Sequence, residues 1–236
     1  ALVLLPWIRR PQWNGYLVPM TACFTLMNVT YLTAMTQTTA ANAIWLQAVY
    51  PWWVFLFSVF VFRQPLVCRD LIPLVFGMLG VGLILSFELG QGQAPMGVAC
   101  GVAAGLSYAG VVVLMWRLNA CDPAWLVALN HAVAAGVLLP WVVHLGYWPS
   151  ARQLAVLVCF GVFQMAIPYL FMLRGLRAIS SQEAAAIGLA EPMLLPLWVF
   201  LVGLESPAWW TVAGASLILI GLVLRYVVFE LLLRRA

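Results

Sequence analysis

Across 236 residues the chain is 65% hydrophobic and only 8% charged, which leaves too few solvated side chains to cover a water-soluble globule. Its formal charge of +4 carries no lysine and no basic run, so nothing points to a nucleic-acid partner. Apolar stretches of about twenty residues, each long enough to cross a roughly 30 Å hydrocarbon core, recur almost end to end. The fold class is therefore all-α, a polytopic membrane helix bundle whose first partner is the lipid bilayer. A membrane barrel is excluded, because LIPLVFGMLGVGLILSF, Leu71 to Phe87, is continuously apolar, whereas barrel strands alternate.

In chain order, ALVLLPWIRR reads as the tail of a partial span. It starts without methionine in mid-hydrophobic run and closes on Arg9 and Arg10 between Trp7 and Trp13, so a missing N-terminal portion is expected rather than a targeting segment. Turn residues and charges then bound eight full spans, at 13–36, 39–62, 70–89, 95–117, 124–145, 152–174, 179–203 and 207–228. The first carries Thr21, Thr25 and Asn28 on one face, turned toward protein or water; interhelical bonding and substrate contact fit it equally. In the second, QAVYPWW sets Gln47 and Tyr50 three residues apart on one helical face beside Pro51, Trp52 and Trp53. That amide and aromatic lining suits a small organic solute, although the tryptophans would equally suit packing against lipid.

Gly97, Gly101 and Gly105 recur every fourth residue in the fourth span and form a smooth packing face. Asn130 and His131 lie within the fifth. His131 could relay protons or rest as a neutral, hydrogen-bonded core residue. Gln164 with Pro168 in the sixth span is a lesser candidate of the same kind. The seventh holds IGLAEPMLLPLW, Ile187 to Trp198, which places Glu191 roughly 18 Å deep. A charge there costs at least about 2.5 kcal/mol, so Glu191 either lines a cavity, binding an amine or cycling a proton, or is neutral glue between helices. Pro192 and Pro196 withdraw donors from the carbonyls of Gly188 and Pro192 and should open the backbone there, as Pro51 should in the second span. Arg174, Arg177 and Glu183 fall at a span mouth, as a gate or as ordinary end charges.

Ten of the eleven arginines, all but Arg152, share one side if spans alternate. Basic residues are retained in the cytoplasm, so that side, with the C-terminus, is cytoplasmic. Five scattered cysteines show no zinc or redox spacing. No phosphate loop, dinucleotide fingerprint or His-Glu metal helix is present, so no cofactor is expected and any transport energy would come from a gradient.

The chain also matches itself at the separation of Pro51 from Pro192: Gly80 meets Gly221, Ala43 meets Ala184 and Tyr50 meets Glu191. The matched spans run in opposite directions, the inverted-repeat design of secondary transporters. TTAANAIWLQAVYPWWVFLFSVFVFRQ and its echo ISSQEAAAIGLAEPMLLPLWVFLVGLE, followed by WTVAGASLILIGLVL, resemble EamA-type members of the drug/metabolite transporter superfamily over essentially the whole chain. Residues Gly203 to Glu205 keep the closing GLE of the second copy, while the first has FRQ at Phe62 to Gln64. The resemblance implies ten helices in two inverted repeats, of which this sequence would lack the first and most of the second. The expected domains are an N-terminal repeat at 1–89, truncated at its start, a C-terminal repeat at 95–228, and a cytoplasmic tail at 229–236. The implied activity is secondary transport across the cell membrane, exporting a small organic metabolite such as an amino acid, with Glu191 available for proton antiport. Whether two copies form a homodimer stays open. The rival readings are a membrane enzyme acting on lipid through Glu191 or His131, and a truncated, non-transporting scaffold.

Overall fold

The structure is a computed structural model that describes residues 2–8, 11–38, 40–65, 70–88, 95–146, 148–192, 194, 201 and 208–228. These residues form helices, with no strand among them. Six helices are long and apolar enough to cross a membrane: Leu17–Gln37, Asn42–Val61, Pro95–Arg117, Pro123–Leu145, Ala151–Gly175 and Trp209–Val227. A shorter apolar helix, Leu71–Phe87, stands where the third span was expected. The expected seventh span is described only in part. Pro196, Gly203, Glu205 and the tail lie outside the described residues.

The elements are α1 (Leu17–Gln37), α2 (Ala40–Gln47), α3 (Tyr50–Leu56), α4 (Leu71–Glu88), α5 (Pro95–Arg117), α6 (Pro123–Leu145), α7 (Ala151–Phe160), α8 (Ile167–Gly175), α9 (Ser181–Gly188) and α10 (Trp209–Val223). Without water in the hydrocarbon, side-chain hydroxyls turn back onto their own helix. On α1, Thr21 donates to the Val18 carbonyl at 3.0 Å and Thr33 to that of Val29 at 2.8 Å. Polar ends are capped by sequence. Asp122 accepts from the Ala124 amide at 3.0 Å with Pro123 opening α6, and Gly146 closes it at φ 69°, a left-handed conformation that suits glycine. Ser150 and Gln153 form a reciprocal capping box on α7.

Three prolines coincide with places where spans lose regularity, whereas Pro140 sits inside α6 without breaking it. Pro51 cannot donate to Gln47, so α2 ends at Gln47 and α3 restarts at Tyr50. Pro192 cannot donate to Gly188, and α9 ends there; the Leu189 amide reaches only back to Ala186, at 3.2 Å. Pro168 deprives the Gln164 carbonyl in the same way, and Gly161–Ala166 widens into a π-helical turn between α7 and α8. A second π turn, Phe57–Val61, extends α3 before Arg63 turns the chain at φ 49°.

The chain forms two compact units, residues 1–26 with 114–180 and residues 27–113 with 181–236. In the first, α6 packs against α8 and the opening 3-10 turn, Leu2–Trp7. Trp125 donates to the Gln12 carbonyl at 2.9 Å and meets Trp13 edge-on. Leu154, Val156, Phe163 and Phe171 point outward from α7 and α8, a surface suited to acyl chains and not to water.

In the second unit α4 and α10 run antiparallel in close contact. A side chain added at Gly80 would meet the Gly214 carbonyl, one at Gly214 would lie 2.6 Å from the Gly80 carbonyl, and one at Gly221 would lie 2.6 Å from Phe76. In lipid, such close backbone approach is a main source of helix association. Phe87 stacks on Trp210 at 5.3 Å at one end. At the other, Asp70 and Arg225 form a buried ion pair at 2.6 Å. Arg225, expected on a solvated rim, is only 3% exposed. The glycine face of α5 packs as expected, Gly97 on Gln37, Gly101 on Leu46 and Gly105 on the Gln47 carbonyl. Trp45, Ala48, Val81, Ile84, Leu189 and Ile218 close the core.

Candidate functional site

The two proline-broken helices of the second unit meet. Tyr50, first residue of α3, donates its hydroxyl to the Ala185 carbonyl of α9 at 3.4 Å. Its ring lies 4.4 Å from that of Tyr108 on α5, tilted by 46°. Glu191 follows the break at Leu189 and its side chain is exposed, whereas Pro192 beside it is buried. Tyr31 on α1 and Tyr108 on α5 belong to the same compact unit as Glu191. The second unit thus holds a carboxylate just past α9 and tyrosines on α1, α3 and α5, of which Tyr50 and Tyr108 are in ring contact. A carboxylate beside aromatic faces can hold an ammonium group by charge and by the ring quadrupole, or can carry a proton.

Gln47 and Tyr50 do not share one helix: the break at Ala48 and Val49 separates them, and Gln47 is half-buried at the end of α2. Trp52 and Trp53 are half-buried, and their indole nitrogens have no hydrogen-bond partner among the described residues. One helical turn farther along α3, the Ser181 hydroxyl donates to Gln64 Oε1 at 3.1 Å and therefore accepts from Ser58 at 2.8 Å. The Gln64 amide nitrogen and the Gln182 amide oxygen beside this chain are buried without partners among the described residues.

The remaining candidates are dispersed. Asn28 is half-buried on α1, and Glu183 lies on α9, its carbonyl 3.5 Å from the Tyr226 hydroxyl. In the first unit, His131 binds the Val127 carbonyl through Nδ1 at 2.8 Å, which leaves Nε2 buried without a partner among the described residues. Its ring packs against Phe24 and Tyr169. Asn130 is 1% exposed, with neither amide atom partnered among the described residues. Gln164 is exposed in its π turn and Arg174 is exposed on α8. Arg177 binds the Asn119 and Cys121 carbonyls at 2.8 and 3.0 Å, so it ties two loops together. A cleft of about 1050 Å³ between Val142 and Leu157 includes Trp148 and Arg152 and none of the candidates. No group of three metal-ligating side chains occurs among the described residues.

Sequence reasoning missed Tyr31, Tyr108, Ser58 and Ser181. The available signal was their polarity within apolar spans, weaker for a phenol or hydroxyl than for a carboxylate.

The family model of the EamA-like transporter family matches residues 95–227, more than half of the chain. The chain belongs to that family. It is accordingly a multi-pass helical membrane transporter, and the family points to small-molecule solutes in a bilayer setting. A protein of Archaeoglobus fulgidus named an uncharacterized transporter is 26% identical over 210 residues, covering 87% of this chain and 74% of that protein. A solved crystal structure superposes with a TM-score of 0.75 at 19% identity, over 98% of this chain and 80% of that one. At that identity the likeness concerns the fold.

Proposed function

We propose that this transporter is a secondary active exporter of the cell membrane for a small organic metabolite bearing an amine, such as an amino acid, working by proton antiport through Glu191. The observation that carries this reading is the placement of Glu191, a carboxylate in an otherwise apolar run, just past a proline-opened helix end. Solute and proton would compete for one carboxylate, which is the simplest chemistry of antiport. Breaks at Ala48–Val49 and at Leu189 stand at the repeat offset of Pro51 from Pro192, and they support two inverted repeats, 1–89 and 95–228, within eight spans and a partial one. The tail at 229–236 and the arginine-rich side face the cytoplasm in this reading.

The test uses protein in liposomes with an internal pH dye, wild type beside Glu191→Gln, against amino acids, amines, nucleosides and sugars. The expected result is proton movement driven by an amine-bearing solute and lost in the variant, with folding intact. Solute-driven proton movement that persists unchanged in folded Glu191→Gln protein would remove this residue from the mechanism.

A further inference from the structure

We propose that Gly188 is a positioning residue, whose missing side chain seats the Tyr50 hydroxyl and thereby braces the ring of Tyr108. This rests on the reading of Glu191 as the solute-binding carboxylate. A β-carbon built on Gly188 would overlap the Tyr50 hydroxyl oxygen, and it would lie 3.2 Å from the ring carbon bearing that oxygen. Almost all the conflict therefore comes from one atom. That hydroxyl reaches past Gly188 to the Ala185 carbonyl one turn earlier on α9, so the empty place on the helix fixes how deeply the ring enters. Tyr50 is 5% exposed and its ring also lies against the half-buried ring of Tyr108. A displaced Tyr50 must push on Tyr108, whose ring it touches, because packed interiors transmit displacement.

Gly188 is also the residue whose carbonyl Pro192 leaves without a helical donor. Seat and helix opening thus coincide, and the place where α9 stops also sets the aromatic wall. With its hydroxyl held by Ala185, Tyr50 contributes a ring edge rather than a free hydroxyl. The wall then favours a flat or cationic solute over one recognised through many hydroxyl groups.

The deciding experiment compares wild type, Gly188→Ala, Tyr50→Phe and the double variant. Fluorotyrosine placed at position 108 is read by fluorine NMR in detergent, and labelled phenethylamine uptake is read in liposomes. In Gly188→Ala the fluorine resonance should move and the KM for phenethylamine should rise about tenfold. In the double variant both should return to the Tyr50→Phe values, since removing the oxygen restores room for the methyl group. If Gly188→Ala is too crowded to fold, a well-folded double variant still demonstrates the seat. An unmoved resonance in folded Gly188→Ala protein overturns the proposal. A resonance that moves and is rescued while phenethylamine uptake stays the same in all four proteins leaves the seat standing and overturns the site reading beneath it.

Discussion

Arg225 and Asp70 show how far one residue's role depends on its partner. Both are buried, and Arg225 Nε donates to Asp70 Oδ1 at 2.6 Å, while the guanidinium lies 4.9 Å from the Tyr226 ring. Removing one member of such a pair leaves the other charge buried and uncompensated, which costs about 3 to 5 kcal/mol. Asp70→Asn should therefore lower detergent-state stability by about 3 kcal/mol, and Asp70→Asn with Arg225→Met should recover most of it. Thermal unfolding of the three proteins checks this. Equal losses in the single and double variants would show that packing, rather than charge pairing, holds that end of α4 and α10. The pair was not legible in the sequence, where Arg225 reads as a rim arginine. Its partner is 155 residues away, and only the antiparallel packing of α4 on α10 brings them together. Tyr108 escaped notice for a related reason: an aromatic in an apolar span signals nothing until its neighbours are known. Glu191 stood out as a candidate because a carboxylate in an apolar run calls for an explanation whatever surrounds it.

At the scale of elements, proline made the structure readable in advance. The missing donors at Pro51 and Pro192 predict irregular backbone four residues earlier, and α2 ends at Gln47 and α9 at Gly188, whereas Pro140 leaves α6 unbroken. Span boundaries were legible to within a few residues for the same reason that membrane topology generally is, since backbone groups in lipid must be satisfied within the helix. The number of spans was less so: eight were expected, while six meet length and composition among the described residues. If Pro51 alone keeps α2 and α3 apart, Pro51→Ala should let residue 51 donate to Gln47 and fuse them. Hydrogen exchange around residues 48–55 should slow about tenfold, with a gain near 1 kcal/mol, the worth of one backbone hydrogen bond. Solute flux should fall in the same protein, because the fused helix can no longer bend there. Unchanged exchange would assign the break to the packing of Gln47 on Gly105 instead.

For the whole molecule, sidedness follows from where the arginines fall along α6. This helix has 23 residues, which at 1.5 Å each is about 34 Å, enough to separate its two ends across a membrane. Arg177 binds the loop carbonyls of Asn119 and Cys121 at the start of α6, and Arg117 ends the helix leading into that loop. Arg152 lies beyond the other end, in the first turn of α7. Within this unit alone the basic residues are thus unequally divided, and if arginine is retained in the cytoplasm the loop at 118–122 is expected inside. A fluorescent-protein insertion after Ala120 should light up and an alkaline phosphatase insertion there should be silent, with the opposite pattern after Ser150. This pair of insertions fixes the direction of α6. The reversed pattern would put the arginine-rich ends outside and overturn the sidedness read from them, while the direction of antiport, which the proton gradient sets, would stay the same. Both reporters active at both sites would instead mean chains inserted in either orientation, for which sidedness would be set by the gradient alone.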